Sequence, residues 1–502
     1  MGKLHVVFII LSLLLLGTLR FWNLSYSEYI PDETTVVTPV KRQQILNQDF
    51  LSSQRKGPIQ FLVAYGVSLF GISVNNEFLY RFPFAVASTV SLIFIYLSIY
   101  ELSGKRSVAL VSALLIGING FVVAFGRIVQ YQSFNLFFSF MALYFYAKIL
   151  RNSASFKRTF TNTIMGLLFL FLSLASHWDA LFFVPAFLYI FVSFCKNNWS
   201  DKKLIKSFLL IHLCVFLLVF VPFVLIYLRS FLSSQTHQSY FEGRVGFMVV
   251  NLQLLISKFT EFIDKDRLYQ PLYFLEFVAS LAALGLLTIK KTWPILLWFL
   301  FCVFIFIFTV KKPGTHLYNI YIPLSIFAAY GFWVITRLFR NWFIVIPSVL
   351  FLIPISFFSY QNYLLFIDSS VEYPWDQETI YKTITQKYVT KKYDQISLSN
   401  NIIGFPLNRH WEEINKIILD DIKKSGNTPE QFSYITNEVK SVSAFYMDIP
   451  YGSSSNMYAV GIKRPFSFEQ DYSFPQFHNR RTISKIEYKG SMVARIYKID
   501  QK

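Results

Sequence analysis

Residues 4–33 read LHVVFIILSLLLLGTLRFWNLSYSEYIPDE: an apolar run from Leu4 to Leu24, then a short polar and aromatic stretch that ends in Pro31-Asp32-Glu33. A helix needs roughly 20 mostly apolar residues to cross a hydrocarbon core, and this run supplies them. One basic residue, Lys3, precedes it, and no small-residue cleavage site stands before Trp22-Asn23-Leu24. The run therefore reads as a retained first span and not as a signal peptide. Adjacent carboxylates directly after a span are costly at a bilayer boundary and point to function. They also repel, so one of the pair is expected to have a raised pKa suited to taking a proton. A solvated turn is the plain alternative.

Working outward, the same apolar pattern recurs near 79–101, 107–125, 134–150, 163–177, 180–195, 207–229, 272–289, 293–310, 317–336 and 343–366, giving about eleven spans with the first. Segment 58–74 is apolar but short and reads as an interfacial or re-entrant helix. Hydrophobic residues make up 54% of the 502 and charged residues only 15%, against about 25% charged in an ordinary soluble protein. The class is polytopic membrane protein. The net charge of +18 lies in the membrane half: residues 1–366 hold 29 Lys and Arg against 13 Asp and Glu, and the remainder 18 against 16. That placement argues for topology and anionic lipid, and against nucleic acid as a partner.

With the N-terminus inside, the cytoplasmic loops hold Lys3, Lys105 and Arg106, Arg151 to Arg158, Lys196 to Lys206, Lys290 and Lys291, and Arg337 and Arg340. Every inside loop is basic, as the positive-inside rule requires. Three segments then face outward: loop 25–78, the polar and aromatic loop 230–271, and a tail from 367 onward. The expected architecture is an all-α membrane domain over 1–366, including outer loop 25–78, followed by a small extracytoplasmic α+β domain over 367–502. In the tail, 376–391 and 409–425 read as helices, and 394–399, 432–436, 456–462 and 483–499 as strands. Cys195, Cys214 and Cys302 all lie in apolar segments, so no disulfide framework or cysteine metal site is expected.

Outward cations break the charge rule and so carry information. Arg81 opens a span, Arg127 closes one, and Lys311 and Lys312 with His316 lie between two more. Such groups suit a lipid phosphate; snorkelling to headgroups is the alternative. Ser176-His177-Trp178-Asp179 forms a tight hairpin tip, where His177 and Asp179 could pair, ligate a metal or line a cavity. No phosphate-binding glycine loop and no metal-spacing motif is present, so no cofactor is called for, and a divalent metal is left open.

Taken in order, these segments resemble the polyprenol-phosphate-sugar glycosyltransferases of the C-type fold. The branch they are most similar to is the protein O-mannosyltransferase-like family, which includes the aminoarabinose transferases of lipid A. The resemblance covers about 1–366 and rests on Pro31-Asp32-Glu33, Lys56-Gly57-Pro58, Arg81-Phe82-Pro83, Gly126-Arg127 through Tyr131-Gln132, His177-Trp178-Asp179, and Lys312-Pro313-Gly314-Thr315-His316 with Tyr318. Two positions depart from the family pattern: Gln132 stands near a usual acid and Lys56 replaces a usual histidine. No Trp-Trp-Asp motif is present, which disfavours oligosaccharyltransferase activity.

The resemblance implies an inverting transfer of a sugar from a polyprenyl-phosphate donor to a protein, lipid or glycan acceptor on the outer face of the cell membrane. Asp32 would be the general base and Glu33 would position it. Arg81, Arg127, Lys311, Lys312 and His316 would hold the donor phosphate. Lys56, Tyr131, Gln132, His177, Asp179 and Tyr318 would contact substrate. In the tail, Gly404-Phe405-Pro406 with Arg409-His410-Trp411 reads as a docking or sugar-contacting turn. A secondary transporter, kept open by Glu276 in the eighth span, and a lipid-scaffolding protein are the rival readings.

Overall fold

A computed structural model of the chain describes residues 3–47, 50–54, 56–151, 155–233, 238, 242–246, 248, 251–311, 314–338, 345–370, 403–463, 480–488 and 490–500. The helix expected at 376–391, the strand expected at 394–399 and the side chain of Lys312 lie outside them. The contacts divide the chain into two compact units: Met1–Trp22 with Ile45–Val63 and Phe82–Leu364, and Asn23–Gln44 with Ala64–Arg81 and Leu365–Lys502. Part of segment 25–78, expected as an outer loop, therefore groups with the C-terminal residues.

The first unit is helical. Among the described residues, eight helices have the length and composition to cross a membrane: Glu77–Ser103, Gln132–Arg151, Phe156–Ser176, Trp178–Asn197, Lys202–Ser230, Phe274–Phe308, Tyr318–Leu338 and Ile346–Phe366. The first apolar run forms Lys3–Phe21, and segment 58–74 forms the ten-residue helix Ile59–Ser68, too short to cross. The chain is a multi-pass membrane protein.

Three expected spans differ in form. Segment 107–125 is broken into Arg106–Gly117 and Gly120–Phe125. Asn119 caps the second piece by accepting from the Val122 N–H at 3.3 Å, and the Gly120 N–H donates to Gln270 Oε1 at 2.7 Å. A Cβ on Gly120 would lie 1.7 Å from the Tyr269 carbonyl oxygen, so only glycine admits this approach. Segments 272–289 and 293–310 join in one helical run of 35 residues, Phe274–Phe308, interrupted by a 3-10 turn at Leu286–Thr288. At about 1.5 Å per residue a straight helix of that length would far exceed a ~30 Å core. Each half takes its own partners: Phe274 packs on Tyr321, while the Trp298 indole donates to the Phe182 carbonyl at 2.7 Å and Phe306 stacks on Phe182. Loop 230–271 holds a further helix, Leu252–Tyr269.

Small residues set the closest helix approach, as is usual where lipid offers no hydrophobic drive between helices. A Cβ on Gly331 would stand 1.7 Å from the Leu281 oxygen, and one on Gly285 would stand 2.5 Å from the Phe327 oxygen.

The second unit contains a four-stranded sheet of β1 (Ser433–Thr436), β2 (Asn456–Ile462), β3 (Arg480–Tyr488) and β4 (Ser491–Asp500), in the order β1-β2-β4-β3. β1 and β2 run parallel, and the other pairings are antiparallel. The expected single strand 483–499 is a hairpin, because Gly490 at φ +75° turns the chain. The helix expected at 409–425 is Trp411–Lys424, whose buried side chains are Trp411, Ile414, Ile418 and Ile422, an apolar stripe at helical spacing.

The loop after the first span is fixed within this unit. Glu28 accepts from the backbone N–H groups of Arg409 at 2.8 Å and Trp411 at 2.6 Å, and its own N–H donates to the Leu407 oxygen. Burial pushes the Glu28 carboxyl up to about 8, against those two N–H donors, which favour its charged form. The Tyr29 N–H donates to the Tyr446 hydroxyl, which in turn donates to Glu77 Oε1. The turn at 404–411 is thus a docking turn, and Trp411, being fully buried, is not placed to contact a sugar.

Replacing Gly331 by alanine should force the helices Phe274–Gly285 and Tyr318–Leu338 apart. Overpacking of this kind costs about 1–3 kcal/mol or more. A lowered Tm and a broadened gel-filtration profile in detergent are expected; an unchanged Tm would contradict the packing described.

Candidate active site

In the first unit, chemistry collects around one hairpin. The helix Phe156–Ser176 stops at His177, whose extended backbone breaks the hydrogen-bond ladder, and the 3-10 turn Trp178–Phe183 leads into Val184–Asn197 with Pro185 in its first turn. Carbonyls at a helix end need donors. Asn135 supplies them, donating to the Ser173 oxygen at 3.1 Å and the His177 oxygen at 3.2 Å. The opposing residue, His316, sits on the 3-10 turn Gly314–Leu317, entered through Gly314 at φ +53°.

These two turns bring Asp179 to the centre of a polar cluster. His177 Nδ1 lies 3.0 Å and His316 Nδ1 2.9 Å from Asp179 Oδ1, and the Tyr318 hydroxyl donates to Oδ2 at 2.9 Å. The Asp179 N–H points at His177 Nδ1 at 3.2 Å. Tyr131 stacks on His177 at 3.7 Å between ring centroids, and its hydroxyl lies 3.4 Å from His316 Nδ1. Trp178 packs against both imidazoles. Asp179 is wholly buried and His316 is 16% exposed. Burial lowers the His177 imidazole to about 4, an effect that Asp179 opposes.

Lys56 belongs to the same neighbourhood, with Nζ 5.8 Å from the Tyr131 ring centre. Gly57 fixes it there: a Cβ would meet the Ala175 oxygen at 2.0 Å and the Ser176 oxygen at 2.5 Å, immediately before His177. Gln132 opens the helix after Tyr131; it is buried, and neither of its amide atoms finds a partner among the described residues. Buried unpaired amides are rare enough to need a reason. Gln60, one turn past Lys56, is in the same condition. Sequence reasoning missed Gln60, which carries no pattern signal. It also missed Asp266, buried where Tyr321 donates to it, whose carboxyl burial raises to about 7. Glu276 is exposed in the first turn of Phe274–Gly285, not buried mid-span as a transport site would have it.

The cations expected to face outward separate under inspection. Lys311 is exposed and donates to the Glu242 carbonyl. Arg127, expected at the donor phosphate, directs Nη1 to the carbonyls of Leu19, Arg20 and Trp22 at 2.9–3.3 Å, capping the C-terminal end of Lys3–Phe21.

In the second unit, Pro31-Asp32-Glu33 forms the first turn of the helix Pro31–Lys41. Adjacent helical positions do not share a face, and the two carboxylates part company. Glu33 is fully buried and accepts from Arg81 Nε at 2.8 Å, Arg81 Nη2 at 2.7 Å and the Ile30 N–H at 3.1 Å. Arg81, also expected at the donor phosphate, gives its remaining N–H groups to the carbonyls of Leu24, Ser27 and Glu28 at 3.1, 2.6 and 3.0 Å. All five guanidinium donors are used, and none is left for a phosphate. This corrects the expectation: Arg81 is a clamp on the loop. Asp32 is only half-buried, in a first-turn position where the helix favours negative charge.

Residues 58–226 match the family model for dolichyl-phosphate-mannose-protein mannosyltransferases. In fold the chain is similar to the crystal structure of ArnT from Cupriavidus metallidurans in the apo state, with a TM-score of 0.50 at 12% identity over 98% of this chain and 97% of that one. It also aligns with the S. cerevisiae protein O-mannosyltransferase Pmt1-Pmt2 complex bound to the sugar donor, with a TM-score of 0.37 at 20% identity over 47% of this chain and 34% of that one. This chain thus spans about a third of the length of the yeast protein it matches. A third alignment is with the archaeal oligosaccharyltransferase AglB from Archaeoglobus fulgidus, solved with an inhibitory peptide and a dolichol-phosphate, with a TM-score of 0.47 at 10% identity over 98% and 74%. No curated protein matches the chain. The near full-length correspondence with ArnT gives this chain the fold of that protein.

Removing Glu33 would leave the Arg81 guanidinium buried without its counter-charge. Breaking such a pair costs about 3–5 kcal/mol. Glu33→Ala should therefore lower thermal stability in detergent sharply, and Arg81→Lys should not substitute, since an ammonium cannot reproduce the five-donor fork. Wild-type stability in either variant would contradict the clamp.

Proposed function

We propose that this chain is an integral-membrane glycosyltransferase that moves a sugar from a polyprenyl-phosphate donor to an acceptor hydroxyl on the outer face of the membrane, with inversion and with Asp32 as general base. The observation that carries the reading is the division of labour at Pro31-Asp32-Glu33. Glu33 is locked by Arg81 into the frame of the loop, while Asp32 sits on the same rigid helical turn without being buried. The C-type fold supports it independently.

In the proposed step the acceptor hydroxyl attacks the anomeric carbon as its proton passes to Asp32. The bond from that carbon to the phosphate oxygen breaks, and the polyprenyl phosphate leaves with the electron pair. Negative charge grows on the leaving phosphate, so fixed positive groups lower the barrier by acting where the charge develops. Lys56, Lys311 and Lys312 are the fixed charges assigned to it, and His316 is assigned to the same phosphate as a hydrogen-bonding or ion-holding group. Arg81 is left out because its five donors serve Glu33 and loop carbonyls, and Arg127 because its Nη1 serves three carbonyls. Tyr131, Gln132, His177, Asp179 and Tyr318 are assigned to the substrate pocket, where the unpaired amide of Gln132 is suited to a sugar hydroxyl. In this reading the N-terminus is cytoplasmic and the C-terminal residues lie outside.

The test uses purified protein in proteoliposomes supplied with labelled polyprenyl-phosphate sugars and candidate acceptors. Loss of a positioned general base typically costs about 10²–10⁴-fold in rate, so Asp32→Asn should lose transfer by that factor while keeping wild-type stability and donor binding. Full activity in Asp32→Asn removes the base assignment. Accumulation of label inside the vesicles without product would favour transport, and neither outcome would favour a scaffolding role.

A further inference from the structure

Three ligand atoms converge from two turns that are 137 residues apart in sequence: His177 and Asp179 from the hairpin tip and His316 from the turn after the next long span pair. One ligand atom from each lies within 4.8 Å of the others. His177 Nδ1 and His316 Nδ1 stand 3.0 and 2.9 Å from one oxygen, Asp179 Oδ1. Hydrogen bonding alone accounts poorly for this. The Asp179 backbone N–H points at His177 Nδ1, which marks that nitrogen as an acceptor with its lone pair in place. A nitrogen in that state cannot also donate to the carboxylate oxygen beside it. Nδ1 and Oδ1 are then crowded at 3.0 Å with no proton between them, and a cation that took the His177 lone pair in place of the backbone N–H would relieve the contact.

We propose that His177, Asp179 and His316 hold a divalent cation of the zinc class, with a coordination position left open for an anionic oxygen.

The donor set fits that ion. Zinc takes imidazole nitrogen at about 2.0–2.1 Å and carboxylate oxygen at about 2.0–2.2 Å in a tetrahedron, so neighbouring ligand atoms stand roughly 3.3 Å apart. The Asp179 distances need to open by only a few tenths of an ångström. Two imidazoles select a borderline ion over magnesium or calcium, which prefer all-oxygen sites. Three protein ligands with one open position is the pattern of reactive zinc sites and not of closed structural ones.

The outer shell is also present. The Tyr318 hydroxyl holds the second oxygen of Asp179, Tyr131 stacks on His177, and the Asn135 amide fixes the His177 carbonyl. Supporting partners of this kind set ligand orientation and commonly matter tenfold or more in affinity. His316, which is partly exposed, gives the ion a way in. Two neutral imidazoles, one carboxylate and a dication leave a net positive charge. In the glycosyltransferase reading, on which this role rests, the anionic oxygen is one of the donor phosphate.

The experiment needs neither donor nor acceptor. Tag-free protein in detergent is washed with chelator and titrated with Co²⁺ alone, then with Zn²⁺. The expected result is a visible absorption band typical of four-coordinate cobalt, saturating at one ion per chain and lost when one equivalent of Zn²⁺ is added. His316→Ala and Asp179→Asn should weaken binding at least 100-fold, more than loss of an outer-shell partner would. His212→Ala, whose imidazole pairs with Tyr146 elsewhere, should leave binding unchanged. The absence of a saturable band in wild type overturns the proposal, and so does an undiminished band in His316→Ala. Should Asp179→Asn fail to fold, the partly exposed His316 variant decides the matter, its own fold checked by an unchanged Tm. Because no sugar is present, a negative result here leaves the Asp32→Asn transfer test standing, and the converse holds.

Discussion

A charge inside a membrane protein has to find its counter-charge and all of its hydrogen bonds within the chain, because hydrocarbon supplies neither. That constraint organises both units. Arg20 lies in the first apolar helix and is fully buried; it gives its donors to Ser88 Oγ and to the carbonyls of Leu16 and Gly117. Arg127 caps the end of that same helix, and Arg81 ties Glu33 to three loop carbonyls. Each arginine stands where backbone carbonyls would otherwise be unmatched. Its planar fork of five donors meets several of them at once in fixed directions.

This is also where reading from sequence reached its limit. A cation at the outer end of a span looks the same in sequence whether it faces a lipid phosphate or a broken helix end. Arg81 and Arg127 were expected at phosphate on that ground, and the unmatched carbonyls that claim them are created only when the chain folds. The membrane class, the Pro-Asp-Glu turn and the His-Trp-Asp hairpin were legible, because each is a local violation of a statistical rule about where polar residues go. The partition of Asp32 from Glu33 was half legible: helical periodicity separates adjacent positions, but the identity of Glu33's partner, 48 residues away, is not a local property.

The same distinction explains the helices. Composition located each of the eight long apolar helices among the described residues, though not their number, since apolar length is a local sum. The break at Asn119-Gly120 escaped because its cause is the Tyr269 carbonyl, brought against Gly120 from 149 positions along the chain. In the C-terminal region the segment expected as one strand over 483–499 is two strands, since Gly490 turns the chain between them. Glycine carries most of what was missed: Gly57, Gly120, Gly285 and Gly331 each admit a backbone oxygen where a Cβ would not fit.

Once the arginines are assigned to carbonyls, the polar residues that remain in the first unit fall into an informative pattern. Asp179 is buried as deeply as Glu33, yet no arginine or lysine pairs with it among the described residues; its neighbours there are two imidazoles and a phenol. A purely structural anion would be expected to meet a fixed positive charge, as Glu33 does. An anion surrounded by groups whose charge depends on a proton or an ion is what the proposed cation site calls for. The contrast between these two buried carboxylates, one permanently neutralised and one conditionally so, separates framework from chemistry in this protein more sharply than any motif in its sequence.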